Sequence, residues 1–324
     1  MKKALQGLLA AAVAAVLVWV LVRSSQPPPR PGERGVSAFD YTPAEPEAAE
    51  PAVVIGREVR LLPVALEEPR GLAAGPNGTV CVVGDSNLVV VAEDGAELRR
   101  VAFEDAPACV AVADDGGMVV GFRKRLLLLD GAGSSGDGAW PVLGDRAFIT
   151  SVAAWGGSVV LADAGRRVVE WYDRNGVLQV RIGGASDGEK EPLFVVPSPY
   201  FDLARGVDDT LWVVDPGRHA LRNYRMDGTL RGSWAATGGG AEGFGGCCNP
   251  THIAIRSDGT FVASEKGIVR VKLYDEVGGL VGVVAGAEAF DAGTTGLDLA
   301  VDARDRILVL DRVRRSVRIF AIEE

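Results

Sequence analysis

Short β-rich apolar runs, separated by turn residues, fill most of the chain. In one early stretch the runs cover 72–74, 79–83 and 88–92, and Gly, Pro, Asn and Asp occupy many of the positions between them. Runs of this length predict β-strands, and the pair Asp94 and Gly95 after the third run is a strong hairpin signal. No helical period interrupts the pattern. The sequence therefore predicts an all-β fold.

This unit of strands and turns repeats along the chain. Three copies share an acid, an aromatic residue nine positions later and a glycine thirteen positions later: Asp163, Tyr172 and Gly176; Asp215, Tyr224 and Gly228; Glu265, Tyr274 and Gly278. A fourth copy begins at Asp311, and two weaker copies precede the three. The six units start at Leu72, Val110, Val152, Leu203, Ile253 and Leu299. Their mean spacing of about 45 residues is the size of a four-stranded propeller blade. We therefore predict a six-bladed β-propeller over residues 53–324.

The sixth unit has room for only three strands. The apolar stretch 57–64, which precedes the first unit, is predicted to supply the fourth. This pairing would close the ring of blades and leave no open sheet edge.

The segments 163–169 (DAGRRVV) and 215–221 (DPGRHAL) resemble NHL repeats, in which an acid is followed by polar and basic residues and then by a β-branched strand. The resemblance covers 53–324 and implies a six-bladed propeller of the bacterial, membrane-anchored, extracytoplasmic type. NHL propellers serve as protein-binding platforms, RNA-binding domains, sensors and enzymes, so the resemblance implies an architecture and leaves the function open.

Two lysines precede an apolar run that extends from Ala4 to Val22. A helix of roughly 19 residues is about 28 Å long and can span a bilayer. Because no A-x-A cleavage pattern ends the run, residues 1–23 are predicted to be an uncleaved signal anchor rather than a removable signal peptide. The lysines outweigh Arg23, so the positive-inside rule places the propeller on the extracytoplasmic, periplasmic side.

Residues 24–52 are rich in Pro, Glu, Ala and Ser. A segment of this composition cannot bury enough apolar surface to fold, and we predict a disordered linker.

The 324 residues carry a net charge of −9, which gives no basic surface of the kind that binds phosphate backbones. Nucleic acid is therefore not an expected partner. A G-x-G-x-x-G match at 131–136 is not followed by a helix, and the sequence contains no H-E-x-x-H motif. No assembled catalytic set is visible. We favour a binding role over an enzyme, although the sequence leaves enzymatic activity undecided.

The fifth unit departs twice from the consensus, in its entering segment 243–252 and in its middle turn, 265–268. In a propeller these two loops lie on the same face, so they are expected to converge beside the mouth of the central channel. The glycine-rich segment 238–246 and the stretch 185–200 also make two entering loops unusually long, and long loops on a rigid scaffold often bind ligands. The predicted binding residues are Cys247, Cys248, Asn249, His252, Glu265 and Lys266.

The adjacent cysteines allow several chemistries, which the sequence leaves open. Outside the cytoplasm Cys247 and Cys248 can form an eight-membered vicinal disulfide, which would rigidify the loop or act as a ligand platform. They could instead be a redox couple, remain free thiols, or bind copper or zinc together with His252.

The residues that start the innermost strands are Gly71, Cys109, Ser151, Asp202, His252 and Asp298. If these residues ring the channel mouth, the two aspartates could share a divalent cation with their neighbours; alternatively, each caps a strand through local hydrogen bonds. The metal candidates are therefore Cys247, Cys248, His252, Asp202 and Asp298, and no other cofactor is indicated. The recurring acids, present in every complete unit, are interpreted as structural.

These observations predict a membrane-tethered, extracytoplasmic propeller that binds a protein or small molecule of the cell envelope on its loop face around the fifth blade. The alternative is a redox or metal-dependent protein that uses Cys247, Cys248 and His252.

Overall fold

The computed structural model describes residues 53–136, 140–184 and 193–323 of the chain. In these residues the strands form six antiparallel sheets, and the innermost strands of successive sheets contact one another in a closed ring. The predicted six-bladed β-propeller is confirmed.

The blades are built in chain order, except that strand β1 (Gly56–Pro63) belongs to the last of them. The first blade contains β2 (Pro69–Ala74), β3 (Val80–Gly84), β4 (Asn87–Val91) and β5 (Glu97–Ala102). The second contains β6 (Cys109–Val112), β7 (Met118–Gly121) and β8 (Leu126–Leu129). The third contains β9 (Ile149–Trp155), β10 (Ser158–Asp163), β11 (Val168–Asp173) and β12 (Leu178–Gly183).

The fourth blade contains β13 (Leu203–Arg205), β14 (Leu211–Asp215), β15 (Ala220–Tyr224) and β16 (Leu230–Ala235). The fifth contains β17 (His252–Ile255), β18 (Phe261–Glu265), β19 (Arg270–Tyr274) and β20 (Leu280–Ala285). The sixth contains β21 (Asp298–Val301), β22 (Ile307–Asp311) and β23 (Ser316–Ile322). Three short 3-10 helices lie at Pro76–Gly78, Pro216–Arg218 and Ala287–Ala289.

The second strand of a blade is its most apolar part. Every residue of β3, β18 and β22 is buried, because both faces of these strands pack against neighbouring blades. The outermost strands are different: four of the six residues of β16 are consecutive exposed positions. The hydrophobic core is therefore a set of layers between blades rather than one central cluster.

The turns divide between two faces of the propeller. The loops that enter each blade and the turns between second and third strands, such as 164–167 and 266–269, form what we call the entry face. The turns between first and second strands and between third and fourth strands, such as 113–117 and 174–177, form the hairpin face.

The ring closes as the sequence predicts. Strand β1 pairs antiparallel with β23, and Leu62 lies opposite Val317. Leu62 is 2% exposed and packs in a cluster that includes Leu72 and Leu310, from the first and sixth blades. The chain before the first unit therefore completes the last blade.

The second blade departs from the expected four strands. Among the described residues its sheet ends at β8, and positions 130–136 make only an isolated bridge between Leu129 and Ser135. The chain here reads Asp-Gly-Ala-Gly-Ser-Ser-Gly from position 130, which has a low β-propensity.

Within 53–136, 140–184 and 193–323, no helix is long and apolar enough to cross a membrane. The predicted anchor at 1–23 and linker at 24–52 lie outside the described residues, as do positions 185–192 of one long entering loop. The anchor and the linker stay predictions.

Ring closure can be tested with two neighbouring leucines of β1. Leu62→Ala should lower the free energy of unfolding by about 2–4 kcal/mol, because it empties a filled site in the core. Leu61→Ala is the matched control: Leu61 is 42% exposed, and its loss should cost under about 1 kcal/mol. Urea unfolding measures both values, and equal losses would show that β1 is not docked in this register.

Candidate functional site

All the recurring acids but Asp311 anchor the loop that enters their own blade; Asp311 accepts the Arg314 N–H of its own turn. Asp215 is fully buried, its Oδ1 accepts the Val195 N–H (2.8 Å), and its Oδ2 accepts bonds from Arg218 (3.0 Å) and Arg222 (2.9 Å). Three other acids accept hydrogen bonds from backbone N–H groups of the loop that enters their blade. These are Asp163 from Phe148, Glu265 from Gly245, and Asp85 from Glu67 and Glu68. The structural interpretation of these acids is confirmed.

A second charge, which was not among the predicted features, also recurs along the chain. The residue two positions before the aromatic of the third strand is charged in four blades: Glu170, Arg222, Lys272 and Arg318. The three cations approach the acid of their own blade, with distances of 2.9 Å in the fourth, 3.0 Å in the fifth and 3.5 Å in the sixth. In the third blade the sign is reversed, and Arg166 bridges Glu170 and Asp163. The recurrence of this charge can be seen in the sequence, but only the structure shows that it pairs with the acid of its own blade.

In the fifth blade this cation holds the glycine-rich entering loop. Lys272 is fully buried, and its Nζ donates to the carbonyl oxygens of Ala241 (3.1 Å) and Gly243 (2.8 Å). The ammonium also lies over the rings of Phe244 and Tyr274, at 4.6 and 5.2 Å from their centroids. Burial lowers the pKa of Lys272 to about 8, against the opposing effect of Glu265.

Three loops meet at Lys266, as the predicted convergence requires. The Asn249 side chain donates to the Lys266 carbonyl (3.0 Å) and accepts from the Lys266 N–H (2.9 Å). The Nζ of Lys266 donates to Ser198 Oγ (3.0 Å) and lies 4.9 Å from the centroid of the Tyr200 ring. The middle turn of the fifth blade is thus joined to the loops that enter the fourth and fifth blades.

The two adjacent cysteines are free thiols in contact, with Sγ atoms 2.9 Å apart. Cys247 is exposed, whereas Cys248 is 1% exposed. Burial raises the pKa of Cys248, but hydrogen bonds from Cys247, Lys266 and Ser198 outweigh it and hold that pKa below the ordinary value. The hydrogen bond with Cys248 and its charge raise the pKa of Cys247. Cys248 is therefore the thiol that ionises first.

The six predicted binding residues divide into two groups. Cys248, Asn249 and Glu265 are buried and hold the loops in place, whereas Cys247 is exposed and Lys266 and His252 are partly exposed. Only the second group can touch a ligand in this conformation.

His252 begins strand β17 at the channel mouth. Its ring meets the Tyr200 ring edge-on, with centroids 5.7 Å apart, and its Nδ1 is buried without a partner among the described residues. Burial lowers the pKa of His252 to about 3, and the charge of Arg312 lowers it further. The imidazole is therefore neutral at physiological pH.

The two mouth aspartates bridge neighbouring blades. Asp202 Oδ2 accepts the Ile253 N–H of the fifth blade (2.7 Å), and Asp298 Oδ2 accepts the Leu72 N–H of the first (2.7 Å). Each aspartate therefore caps a strand, as the second alternative predicted, but the strand belongs to the neighbouring blade and the bond is not local. In the described ranges, no three His, Cys, Asp or Glu side chains are arranged to share a metal ion. The metal candidates therefore stay a prediction, because the described residues contain no set of three ligands for a metal ion.

The mouth also carries cations that the sequence analysis did not single out. Strand register pairs Cys109 with Gly121, His252 with Ser264, and Asp298 with Leu310. The residue two positions beyond each partner lies at the mouth on the entry face, and in these blades it is Arg123, Lys266 and Arg312. Only the strand register shows that these positions are equivalent.

No family model matches the chain, and no curated protein sequence matches it. Solved structures do match. A streptogramin B lyase aligns at 8% identity over 83% of this chain and 98% of its own, with a TM-score of 0.57. A gluconolactonase from Xanthomonas campestris aligns at 16% identity over 85% of this chain and 98% of its own, with a TM-score of 0.59. A virginiamycin B lyase from Staphylococcus aureus aligns at 11% identity over 78% of this chain and 81% of its own, with a TM-score of 0.54.

These likenesses show the fold alone. The chain is a six-bladed β-propeller whose structural neighbours are of the lyase and gluconolactonase type. Membership of the NHL family, which the segments 163–169 and 215–221 suggested, is not confirmed.

The buried lysine of the fifth blade generates a prediction about the cysteine loop. Lys272→Met should cost roughly 3 kcal/mol of stability and should speed the alkylation of Cys248, because it removes one of the two cations paired with Glu265 and the donor of two loop carbonyls. Arg222→Met is the matched control in the fourth blade; it should cost stability without speeding that alkylation. Mass spectrometry of alkylated peptides measures the rates. If both variants accelerate labelling equally, Lys272 does not hold the loop locally.

The mouth aspartates generate a prediction about pH. Burial and the charge of Asp202 raise the pKa of Asp298 to about 8, and burial raises that of Asp202 to about 6. The folded protein therefore binds the Asp298 proton more tightly than the unfolded chain does, and this group makes stability fall as the pH rises from about 4 to 8.

Asp298→Asn keeps an acceptor for Leu72 and removes the charge. The variant should gain stability relative to the unmodified chain between pH 5 and 8, by at most about 1.4 kcal/mol per pH unit. Urea unfolding at both pH values measures the difference, and a difference that does not change with pH would contradict the assignment.

Proposed function

We propose that this chain is a membrane-tethered, extracytoplasmic binding module that holds an anionic ligand on its entry face, beside the channel mouth at the fifth blade. The tether rests on the sequence of residues 1–23. The binding role rests on one observation: Arg123, Lys266 and Arg312 pair with no carboxylate in the described ranges. Their neighbours on the same turns do, since Arg125 contacts Asp105 and Arg314 contacts Asp291.

Cations at equivalent mouth positions that have no carboxylate partner among the described residues suit a carboxylate or phosphate group. Arg and Lys recognise these anions through charge-assisted hydrogen bonds. The neutral imidazole of His252 and the Tyr200 ring lie beside Lys266 and add uncharged surface for the rest of a ligand.

The surrounding structure supports a preformed site. The Asn249 side chain, on the entering loop, donates to the Lys266 carbonyl and so fixes the backbone of Lys266. Glu265 and Lys272 fix that loop in turn through hydrogen bonds with the backbone of Gly245 and Gly243. A side chain whose backbone is held by buried hydrogen bonds loses less freedom on binding, which favours affinity. The activities in the names of the neighbouring structures belong to those proteins, and the proposal depends on none of them.

A second candidate function is thiol–disulfide exchange by the adjacent cysteines. Its supporting observation is the pair of Sγ atoms 2.9 Å apart, in which Lys266 and Ser198 favour the Cys248 thiolate. In such a reaction the exposed Cys247 attacks a disulfide of a partner and releases one thiol. The Cys248 thiolate then attacks the Cys247 sulfur and releases the second thiol, which leaves a Cys247–Cys248 disulfide.

Anion binding is tested with matched probes. Succinate should raise the melting temperature of the full chain, whereas the neutral succinamide should not, because only the dianion pairs with the mouth cations. At ten times its dissociation constant a ligand adds about 1.4 kcal/mol to stability. Lys266→Gln and Arg312→Gln should each reduce the shift at least about threefold.

The control is Arg315→Gln, which makes the same charge change on the turn of Arg312 but removes a cation paired with Glu67. An equal shift by succinamide, or an equal loss in the control, would sink the anion-binding proposal.

One variant distinguishes the two candidate functions. The double substitution Cys247→Ser and Cys248→Ser should leave the succinate shift within about twofold if binding depends on the cations. If exchange is the function, unmodified protein should reduce a small disulfide by two electrons per chain, and the double variant should not.

A further inference from the structure

A cavity of about 280 Å³ opens on the hairpin face between the fourth and fifth blades, opposite the anion site proposed above. Trp212, Asn223 and Gly232 belong to its fourth-blade wall, and Phe261 and Glu276 lie on its fifth-blade side. Its volume is at the lower end of the range of ligand pockets, so the cavity suits a small ligand or a single side chain.

The Asn223 side chain faces this cavity. Side chains two positions apart in a strand share a face, and Leu221 packs in the same cluster as Phe261 of the fifth blade. Asn223 lies opposite Trp212 on one neighbouring strand and opposite Gly232 on the other. It is 3% exposed, and it is one of the residues that line the cavity.

The Asn223 amide has a buried oxygen without a partner. Its Nδ2 donates to Thr210 Oγ1 (2.8 Å), and the Thr210 hydroxyl donates its only proton to Asp208 Oδ1 (2.7 Å). Thr210 can therefore only accept from Asn223, which fixes the orientation of the amide. The remaining atom, Oδ1, has no donor among the described residues. Such an acceptor costs free energy, which a ligand that supplies a donor would recover.

Packing of the blade does not require an amide at this position. The residue that precedes the aromatic of the third strand is Trp171 in the third blade, Leu273 in the fifth and Ile319 in the sixth. All three are apolar and occupy the position of Asn223 in their own blades. A hydrophobic residue therefore fits this place in the fold, and the unpaired amide of the fourth blade calls for another explanation.

Gly232 leaves the space beside the amide open. A Cβ placed on Gly232 would meet no other part of the described structure within 4 Å. In the fifth blade the equivalent pair is Leu273 and Gly282, and there the Ile55 side chain fills the space, 2.8 Å from a Cβ placed on Gly282. The fourth blade has no such cover, so the cavity extends beside Asn223.

The charges around the cavity favour a positive ligand. Arg231 is the only cation that the described residues contribute to its wall, and Asp208 already pairs with it. Glu276 pairs with no cation in the described ranges. Its carboxylate lies against Gly259 of the wall, because a Cβ placed on that glycine would come within 2.8 Å of Oε1.

We propose that this cavity is a second binding site, for a guanidinium group: an N–H donates to Asn223 Oδ1, the positive charge faces Glu276, and the planar group packs on the partly exposed Trp212 ring. A guanidinium carries only donors, keeps its charge at physiological pH and stacks on aromatic rings. Phe261 holds the Trp212 ring in place, because the two rings meet edge-on at 4.7 Å. The proposal is independent of the anion site on the entry face.

Three matched probes test the proposal on the full chain, with binding measured by calorimetry. Benzylguanidinium carries the donors, the charge and a ring. Benzylurea keeps the donors without the charge, and benzyltrimethylammonium keeps the charge without a donor. Benzylguanidinium should bind at least about tenfold more tightly than the quaternary ammonium and at least about threefold more tightly than the urea.

Two variants locate the probe beside the amide. Asn223→Leu introduces the residue that the fifth blade has at this position, so the fold should tolerate it. The variant lacks the acceptor, and it should abolish the advantage of benzylguanidinium over the quaternary ammonium. Gly232→Val fills the open space in strand β16 and should weaken all three probes at least about tenfold.

A third variant tests the charge. Glu276→Gln should abolish the advantage of benzylguanidinium over benzylurea, because it removes the carboxylate and keeps the shape of the side chain. Glu104→Gln is the matched control: it makes the same charge change at an exposed residue between β5 and β6, outside the cavity, and should leave all affinities unchanged. Because Glu276 is exposed on a turn, this pair keeps the test decisive if Asn223→Leu is unstable.

A blocked tripeptide with a central arginine identifies the source of the guanidinium. An affinity within about threefold of that of benzylguanidinium would assign the site to an arginine side chain of a partner, and an affinity at least about tenfold weaker would assign it to a small molecule. The proposal is overturned if benzyltrimethylammonium binds as tightly as benzylguanidinium, if neither guanidinium probe binds, or if Asn223→Leu and Glu276→Gln both bind benzylguanidinium like the unmodified chain.

Discussion

The buried ion pair between the second and third strands is the interaction on which the rest of this propeller depends. An acid at the end of the second strand must be buried because the neighbouring blade covers it, and a buried carboxylate is tolerable only when it is paired and hydrogen-bonded. Asp215 meets that requirement with the Val195 N–H and two arginines. The same bonds fix the loop that enters the blade, so one electrostatic arrangement determines both blade packing and loop position.

The fifth blade keeps this arrangement and changes what it supports. Glu265 replaces the aspartate and Lys272 replaces the arginine, and the longer acid and the lysine together hold a glycine-rich loop rather than a short one. The loop in turn positions the exposed Cys247 and the partly exposed Lys266. The scaffold is therefore repetitive, whereas the surface it presents differs from blade to blade, and this difference is what a binding function requires.

The two faces of the propeller differ in chemistry for a topological reason. Turns between second and third strands carry the arginine-rich segments of the repeat, whereas hairpin turns are closed by aspartates such as Asp130, Asp173 and Asp227, which accept backbone N–H groups of their own turns. Because consecutive turns of an antiparallel sheet point to opposite faces, the repeat separates these two residue types. The cations of the mouth and the turn aspartates thus lie on opposite faces of one domain.

The sequence by itself determined the number of blades, the closing strand and the structural role of the recurring acids, because these depend on local periodicity and turn residues that every unit repeats. It also showed that 243–252 and 265–268 share a face. Tertiary structure alone decided which of those residues remain accessible: Asn249 and Glu265 are buried, whereas Lys266 is not. It also decided that Arg123 and Arg312 belong to the same mouth. Burial, strand register and packing between blades join residues far apart in the chain, and no local pattern encodes them.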